Sequence, residues 1–270
     1  MGETTDGPRP FRFGVVAPVR SDLATWREQV RRIADSGYSA LLMPDVPGFQ
    51  PAPGPTLATA AALAPLRVGT WVYASALRQP WSTAWEAHSL SVLTEGRFEM
   101  GVGLGRPGIE TEQGLPRVSG AERLARMRET VAALRELDGA EAHTPVTMAV
   151  GGPRSRKLAA EVADAATFVL GPEDGRGEIT ARVGELRGSG LELAQHVAVV
   201  GDITAPFMAQ PGLDTAALHA AGSLMALPDD PAAAIDELQR RREEIGFSYF
   251  VFGSVAADAM APVVAELAGR

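Results

Sequence analysis

The feature that most constrains this chain is an alternation: short apolar runs, each followed by a segment with helical spacing, recur eight times along its 270 residues. Phe11 to Ala17 is the first run, stopped by Pro18. Ser21 and Asp22 follow as candidate N-caps, and Leu23, Trp26, Val30 and Ile33 then recur at the spacing of one helix face. Gly37 closes that helix, and Tyr38 to Met43 forms the second run, ended by Pro44. A short Ala-rich helix over Thr56 to Leu63 leads to a third strand, Arg67 to Tyr73. Thr83-x-x-Glu86 has the form of a capping box, in which a hydroxyl and a carboxylate satisfy the free N–H groups that open a helix; Gly96 suits the left-handed residue after its end. Phe98 to Val102 is the fourth strand, and Ser119-x-x-Glu122 is a second capping box ahead of Leu124, Met127, Val131 and Leu134. Val146 to Val150 is the fifth strand, followed by a helix over Arg154 to Ala163.

The same reading places strand six at Ala166 to Leu170, its helix at Ile179 to Leu186, and strand seven at Val197 to Val200. Between Gly201 and Leu227 it predicts a loop with one short helix at Thr215 to Ala220. Asp230 as N-cap and Pro231 at the first helical position open the next helix, which Gly246 ends. Phe247 to Phe252 is strand eight, and Met260 to Leu267 is a closing helix. Strands too apolar to have a wet face, separated by helices, imply a parallel sheet covered on its outside. Eight such units in a length near the ~250 residues usual for a (β/α)8 TIM barrel favour closure over an open doubly wound sheet, which the pattern alone also permits. The expected organisation is a flexible tail at 1–10 and a single barrel domain at 11–270.

The composition excludes several classes of function. There is no cysteine, so disulfides and thiolate metal sites are ruled out. The four histidines, His88, His143, His196 and His219, have no metal-ligand spacing, and no metal site is expected. The formal net charge is -8, and the runs Arg31-Arg32 and Arg240-Arg241-Arg242 fall on amphipathic helices, so no nucleic-acid partner is expected. No apolar stretch reaches the ~18 residues of a membrane span, and the polar start Met1 to Pro10 does not read as a signal peptide. A cytoplasmic protein with no membrane partner is the expectation.

In a closed barrel the chemistry gathers at the C-terminal ends of the strands. There the sequence offers Asp45, an acid after a buried run, which could bond the N–H groups of its own loop or face a ligand. Gly151-Gly152-Pro153-Arg154-Ser155 follows strand five and opens a helix. Free N–H groups, an arginine and a hydroxyl there suit an anion cradle, although an ordinary strand-to-helix turn would read the same. Gly103-x-Gly105-x-x-Gly108 matches a dinucleotide fingerprint in letters, but Pro107 and the polar stretch to Pro116 continue no tight helix, so it reads as a ligand loop. His88 lies on a predicted helix face, and no G-x-S-x-G elbow occurs.

Taken in order, F-R-F-G-V at 11–15, D-S-G-Y-S-A-L-L-M-P-D at 35–45, L-R-V-G-T at 66–70, L-T-E-G-R-F-E-M-G-V-G-L-G at 93–105, A-V-G-G-P-R at 149–154 and R-R-R-E-E-I-G-F-S-Y at 240–249 resemble the luciferase-like flavin and deazaflavin oxidoreductases, above all their coenzyme F420 branch from actinobacteria. The resemblance implies a non-prolyl cis peptide in a bulge at the end of strand three, at Trp71–Val72, backing the ring of the cofactor. It implies that Asp45 contacts the deazaflavin, and that Gly105 with Arg106, and Gly151 and Gly152 with Arg154 and Ser155, hold the cofactor's tail. Ala74 stands at a cofactor-binding position after the bulge that is often Thr or Asn. Two departures remove the usual acid–base pair: Val46 stands where many relatives carry a proton-transferring histidine, and Arg106 stands where sugar-phosphate-oxidising relatives use a glutamate. No catalytic residue is therefore assigned. The segment between Arg106 and Ala121 is also shorter than in most relatives. The implied activity is hydride transfer between coenzyme F420 and a small-molecule substrate. An FMN-dependent two-component monooxygenase and a degenerate, non-catalytic flavin-binding barrel are the alternatives. Trp81, Phe49, Phe207 and Met208 are candidates to shape the substrate pocket, and a homodimer is implied.

Overall fold

A computed structural model describes residues 8–205 and 213–270. Phe207 and Met208, and the first seven residues of the expected N-terminal tail, lie outside the described residues. In chain order the elements are β1 (Arg12–Val16), α1 (Leu23–Asp35), β2 (Ala40–Met43), α2 (Pro53–Leu63), β3 (Arg67–Thr70), β4 (Tyr73–Ala74), α3 (Pro80–Leu93), β5 (Phe98–Gly103), α4 (Ile109–Glu112), α5 (Gly120–Asp138), β6 (Val146–Val150), α6 (Pro153–Val162), β7 (Ala165–Phe168), α7 (Arg176–Gly184), β8 (Glu192–Val197), β9 (Val199–Val200), β10 (Ile203–Thr204), α8 (Thr215–Ala220), β11 (Ala226–Leu227), α9 (Pro231–Glu244), β12 (Phe247–Gly253) and α10 (Ala257–Leu267). The main sheet runs β3-β2-β1-β12-β8-β7-β6-β5-β4, and β3 also pairs with β5, so the sheet closes on itself. All of its pairings are parallel. With β3 and β4 forming one interrupted stave, this is a TIM barrel of eight staves.

Alternation along each strand divides the apolar side chains between two cores. Phe13 and Val15 of β1, Leu41 and Met43 of β2, and Phe98, Met100 and Val102 of β5 join the large cluster beneath the helices. Val16, Ala40, Leu42, Ala194, Tyr249 and Val251 form a separate cluster inside the barrel, with Trp71 packed on it. The barrel's N-terminal end is closed by charge. Arg12 donates to Glu99 at 2.7 Å and to Glu192 at 2.6 Å, while the Tyr249 hydroxyl donates to the other Glu99 oxygen at 2.7 Å. The Arg12 guanidinium also sits 4.1 Å over the Tyr249 ring. Burial, reinforced by the charge of Glu99, pushes the Tyr249 phenol well above its ordinary pKa. This floor needs two glycines: a Cβ on Gly14 would lie 2.8 Å from the Tyr249 hydroxyl, and one on Gly69 would lie 2.6 Å from Glu99 Cγ.

Three helix starts follow the expected capping. Asp22 accepts from the Ala24 and Thr25 N–H groups, Ser119 from Glu122, and Asp230 from Ala233. Thr83-x-x-Glu86 does not cap a helix. Helix α3 already begins at Pro80, Thr83 Oγ1 bonds back to the Gln79 carbonyl, and Glu86 turns inward to Tyr73 and Arg78. The seventh stave is Glu192–Val197 and not Val197–Val200, which instead supplies β9 of a small sheet ordered β10-β9-β11. The true stave carries polar inward positions, so it lacks the apolar run that marks the others. The expected third strand is broken between Thr70 and Tyr73, and α2 and α10 begin earlier than expected, at Pro53 and Ala257. Among the described residues no helix is long and apolar enough to cross a membrane, and no group of His, Asp or Glu is placed to hold a metal ion.

Candidate active site at the mouth of the barrel

The third stave sets the shape of the mouth. Gly69 pairs with Glu99, and the next pairing is Tyr73 with Val102, so three residues on the stave oppose two on β5. The extra residue is a bulge. Its Trp71–Val72 peptide is cis. The Thr70 hydroxyl bridges the gap, donating to the Gly101 carbonyl at 2.7 Å and accepting the Gly101 N–H at 2.9 Å. A Cβ on Gly101 would sit 2.0 Å from the Thr70 carbonyl oxygen and 2.9 Å from Val72, and one on Gly103 would sit 2.7 Å from Val72. Two glycines of the Gly101–Gly108 run thus exist to admit the bulge. Gly105 and Gly108, both at positive φ, serve the loop beyond. Trp71 and Val72 remain partly exposed at the mouth. The Trp71 ring meets His196 and Tyr249 edge-on, at centroid distances of 6.4 and 6.1 Å.

Asp45 lies after β2, buried beside the bulge. Its Oδ2 accepts the Ala74 N–H at 3.0 Å and Arg78 Nε at 2.7 Å, and its Oδ1 accepts Arg78 Nη2 at 3.0 Å. The fork of Arg78 thus grips the carboxylate on both oxygens. Arg78 also donates to Glu86 at 3.2 Å and lies 4.0 Å over the Tyr73 ring, whose hydroxyl donates to Glu86 at 2.6 Å. Burial opposes the Arg78 charge, but the hydrogen bonds and charge of Asp45 outweigh it and raise its pKa. Burial and the neighbouring Glu86 together push the Tyr73 phenol well above its ordinary range. The partners of Asp45 come from outside its own loop: the acid ties the end of β4 to Arg78, and Ala74 is held by that bond. Nothing local in the sequence marks Arg78 or Glu86 as its companions.

The loop after β5 is organised from behind by Arg123 of α5. Its guanidinium donates to the carbonyls of Val118, Leu104, Gly105 and Arg106 at 3.1 to 3.4 Å, and to Glu110 at 2.6 Å. Gly105 and Arg123 line a cleft of about 400 Å³ that also takes in Pro107, Arg117 and Ser119. Arg106 is exposed and grips Glu112 of its own loop with both terminal nitrogens.

After β6, Gly152 caps α6 without any side-chain bond, and Pro153 takes the first helical turn. The Gly151 N–H donates to the Ser155 hydroxyl at 3.1 Å, and that hydroxyl donates to the Gly152 carbonyl at 2.8 Å. Ser155 is buried and its hydroxyl is spent inside the turn. Gly151, Gly152 and Arg154 are exposed, and a Cβ on either glycine would meet nothing within 4 Å. The helix start is therefore open, with the positive end of its dipole and an exposed arginine beside it.

His196 escaped the sequence reading. It sits on the inner side of β8 against Trp71, and burial pushes its pKa down to about 4, so its imidazole is neutral at physiological pH. The signal lost in the sequence was the stave itself.

The luciferase-like monooxygenase model matches residues 11–202. An F420-dependent glucose-6-phosphate dehydrogenase of Beutenbergia cavernae is 32% identical over 140 residues, a match spanning 43% of this chain and 42% of that relative. Two solved structures share the fold over nearly the whole chain. One is an F420-dependent secondary alcohol dehydrogenase in complex with an F420-acetone adduct, with TM-score 0.74, 16% identity, and coverage of 94% of this chain and 98% of the other. The second is the coenzyme F420-dependent tetrahydromethanopterin reductase of Methanopyrus kandleri, with TM-score 0.75, 15% identity, and coverage of 96% and 98%.

Proposed function

This chain belongs to the luciferase-like monooxygenase family, and we propose that it is an oxidoreductase working with coenzyme F420 on a small organic substrate. The observation that carries the reading is the pairing, at one mouth, of a partly apolar platform with an open helix start. Trp71 and Val72 provide the platform, and Val72 is fixed against Gly101 and Gly103. Gly151, Gly152 and Arg154 provide an uncrowded anion site. Those features fit a flat ring with a phosphate-bearing tail. The 32%-identical relative supports the deazaflavin over FMN.

When bound, the cofactor supplies hydride exchange at the C5 carbon of its ring. The chain's own residues hold and shield. Val72 and Trp71 exclude water from one face of the site, so that the substrate meets the other. The α6 N–H groups and Arg154 fix the anionic tail. Asp45, gripped by Arg78, holds the Ala74 backbone and so sets the height of the platform. Burial keeps His196 neutral, so it adds no positive charge to the wall behind Trp71.

Titrating the purified chain with F420 and with FMN, each followed by absorbance and fluorescence, tests this reading. Saturable F420 binding that Arg154→Ala weakens is expected. Binding of FMN alone would favour the two-component monooxygenase. Tight F420 binding without hydride exchange over a broad panel of alcohols, ketones and enones would favour a non-catalytic barrel. Binding of neither would overturn the proposal.

A further inference from the structure

The proposed cofactor site takes up one side of the mouth: the platform stands on the third stave, and the anion site follows the fifth. The connections that leave the sixth, seventh and eighth staves (β7, β8 and β12) enclose the opposite arc, and their composition is one-sided. Residues 169–175, 198–230 and 254–256 contain no lysine and no arginine. Three of the nine large apolar side chains exposed among the described residues stand here: Val169, Ile203 and Val255, at 65, 37 and 48% exposure. The loops of the N-terminal rim carry none of the nine.

Inside the arc the lining is small and apolar. Ala166 and Phe168 of β7 belong to the cluster beneath the helices, so alternation turns Val169 inward, and its N–H continues the ladder to the Val150 carbonyl at 3.0 Å. A Cβ on Gly253 would lie 2.7 Å from Ala205 Cβ and 3.9 Å from Val255 Cγ2, so both side chains sit beside the end of the eighth stave. At this end the inner side of the three staves carries one ionisable group, His196, which burial keeps neutral.

Charge around the arc is either spent or negative. Arg176, at the start of α7, is held by Glu237 and Glu244 of α9, and Arg20, after the first stave, lies 4.1 Å over the Phe49 ring. Asp174, Asp214 and Asp230 bond backbone N–H groups of their own turns, while Glu173, Asp202 and Asp229 stand exposed. A phosphate or carboxylate approaching here would meet acids and no cation. An ammonium group would lose its water to an apolar lining with no acid inside to pair with.

We propose that this arc selects an uncharged, apolar substrate, an aliphatic ketone or its alcohol, and turns away phosphorylated sugars of the kind named for the 32%-identical relative. The proposal rests on the cofactor reading in one respect, the assignment of the arc to the substrate.

Methyl ketones from butanone to decanone, titrated into the full chain with and without F420, provide the test, with isotope-labelled valine methyl groups followed by NMR. The Val169 and Val255 signals, assigned by their loss in Val169→Thr and Val255→Thr, are expected to shift. Each added methylene should tighten binding by up to about fourfold. Val169→Asp with Val255→Asp should flatten that dependence and leave F420 affinity unchanged. The near-isosteric Val169→Thr with Val255→Thr should weaken it with no change in melting temperature. Glucose 6-phosphate should leave both signals in place. A flat series, shifts confined to Val92 on α3, or tighter binding of glucose 6-phosphate or nonylamine than of decanone would each overturn the proposal. A chain that binds no F420 but keeps the series would overturn the cofactor reading and leave the apolar arc standing.

Discussion

His196 makes the barrel's interior a source of acid sensitivity, and its size can be worked out. In the unfolded chain its pKa is 6.5, and in the folded chain burial lowers it to about 4. A depressed folded pKa means that the unfolded chain takes up the proton first. The stability that comes from keeping this ring neutral is thus complete above the unfolded value and is lost as pH falls from 6.5 toward 4. The full shift is worth about 3 kcal/mol, and roughly 2 kcal/mol of it is gone by about pH 5. His196→Gln removes the titration while keeping a polar side chain of similar size. Urea unfolding of both proteins at about pH 7.5, 6 and 5 gives the comparison. The variant is expected to be the less stable one at high pH, because Trp71 loses its edge contact. Its deficit should shrink by about 2 kcal/mol by the lowest pH. Carboxylates whose pKa is lowered in the folded state, such as Asp138 and Glu237, titrate in both proteins and cancel in the difference. A deficit that stays constant across the range would refute the burial argument.

Substitutions at three further positions, with two controls, probe the mouth. Gly101→Ala sets a methyl 2.0 Å from the Thr70 carbonyl and should destabilise by about 3 kcal/mol in a denaturant melt, whereas Gly120→Ala, with nothing within 4 Å, should be neutral or stabilising. Arg78→Leu strips the carboxylates of Asp45 and Glu86 of their cation; roughly 3 kcal/mol of stability should go with it, and a conservative Arg78→Lys should restore only part, since a lysine cannot span both Asp45 oxygens. Arg154→Ala should weaken F420 binding about tenfold, the equivalent of ~1.4 kcal/mol, in a fluorescence titration and leave the melting temperature unchanged.

What could be read from the sequence was whatever local chemistry governs. Asp22, Ser119 and Asp230 cap as their spacing implies, and β6 and α8 have the bounds the pattern gives them. The misreadings share a cause: long-range contacts decided the outcome. Glu192, Gln195 and His196 made β8 look unlike a buried strand because their partners lie far away, in Arg12 for Glu192 and in the Leu224 carbonyl for Gln195. Glu86 looked like a capping residue because its spacing from Thr83 fits one, but its actual partners, Tyr73 and Arg78, lie in the strand and loop that precede α3 and meet it only once that helix packs on the stave. The glycine run after β5 was visible, but its purpose was not: Gly101 and Gly103 make room for a side chain roughly thirty residues earlier in the chain. Arg123, which holds the loop after β5, looks in sequence like any arginine of an amphipathic helix.

The charged floor bears on assembly as well as on shape. Arg12, Glu99, Glu192 and Tyr249 come from the first, fourth, seventh and eighth staves, so no fragment of the barrel can complete the set. An assembly intermediate that has gathered the later staves without the first would bury Glu192 without Arg12 and leave Glu99 with Arg67 alone, whose Nε lies 3.5 Å away. Burial and the charge of Glu99 already raise the Glu192 pKa with Arg12 in place, which shows how poorly that arrangement tolerates the lone pair of acids. Loops at the opposite rim touch none of this wiring. The floor therefore favours the complete ring, and it leaves the mouth free to change its ligand without renegotiating the fold.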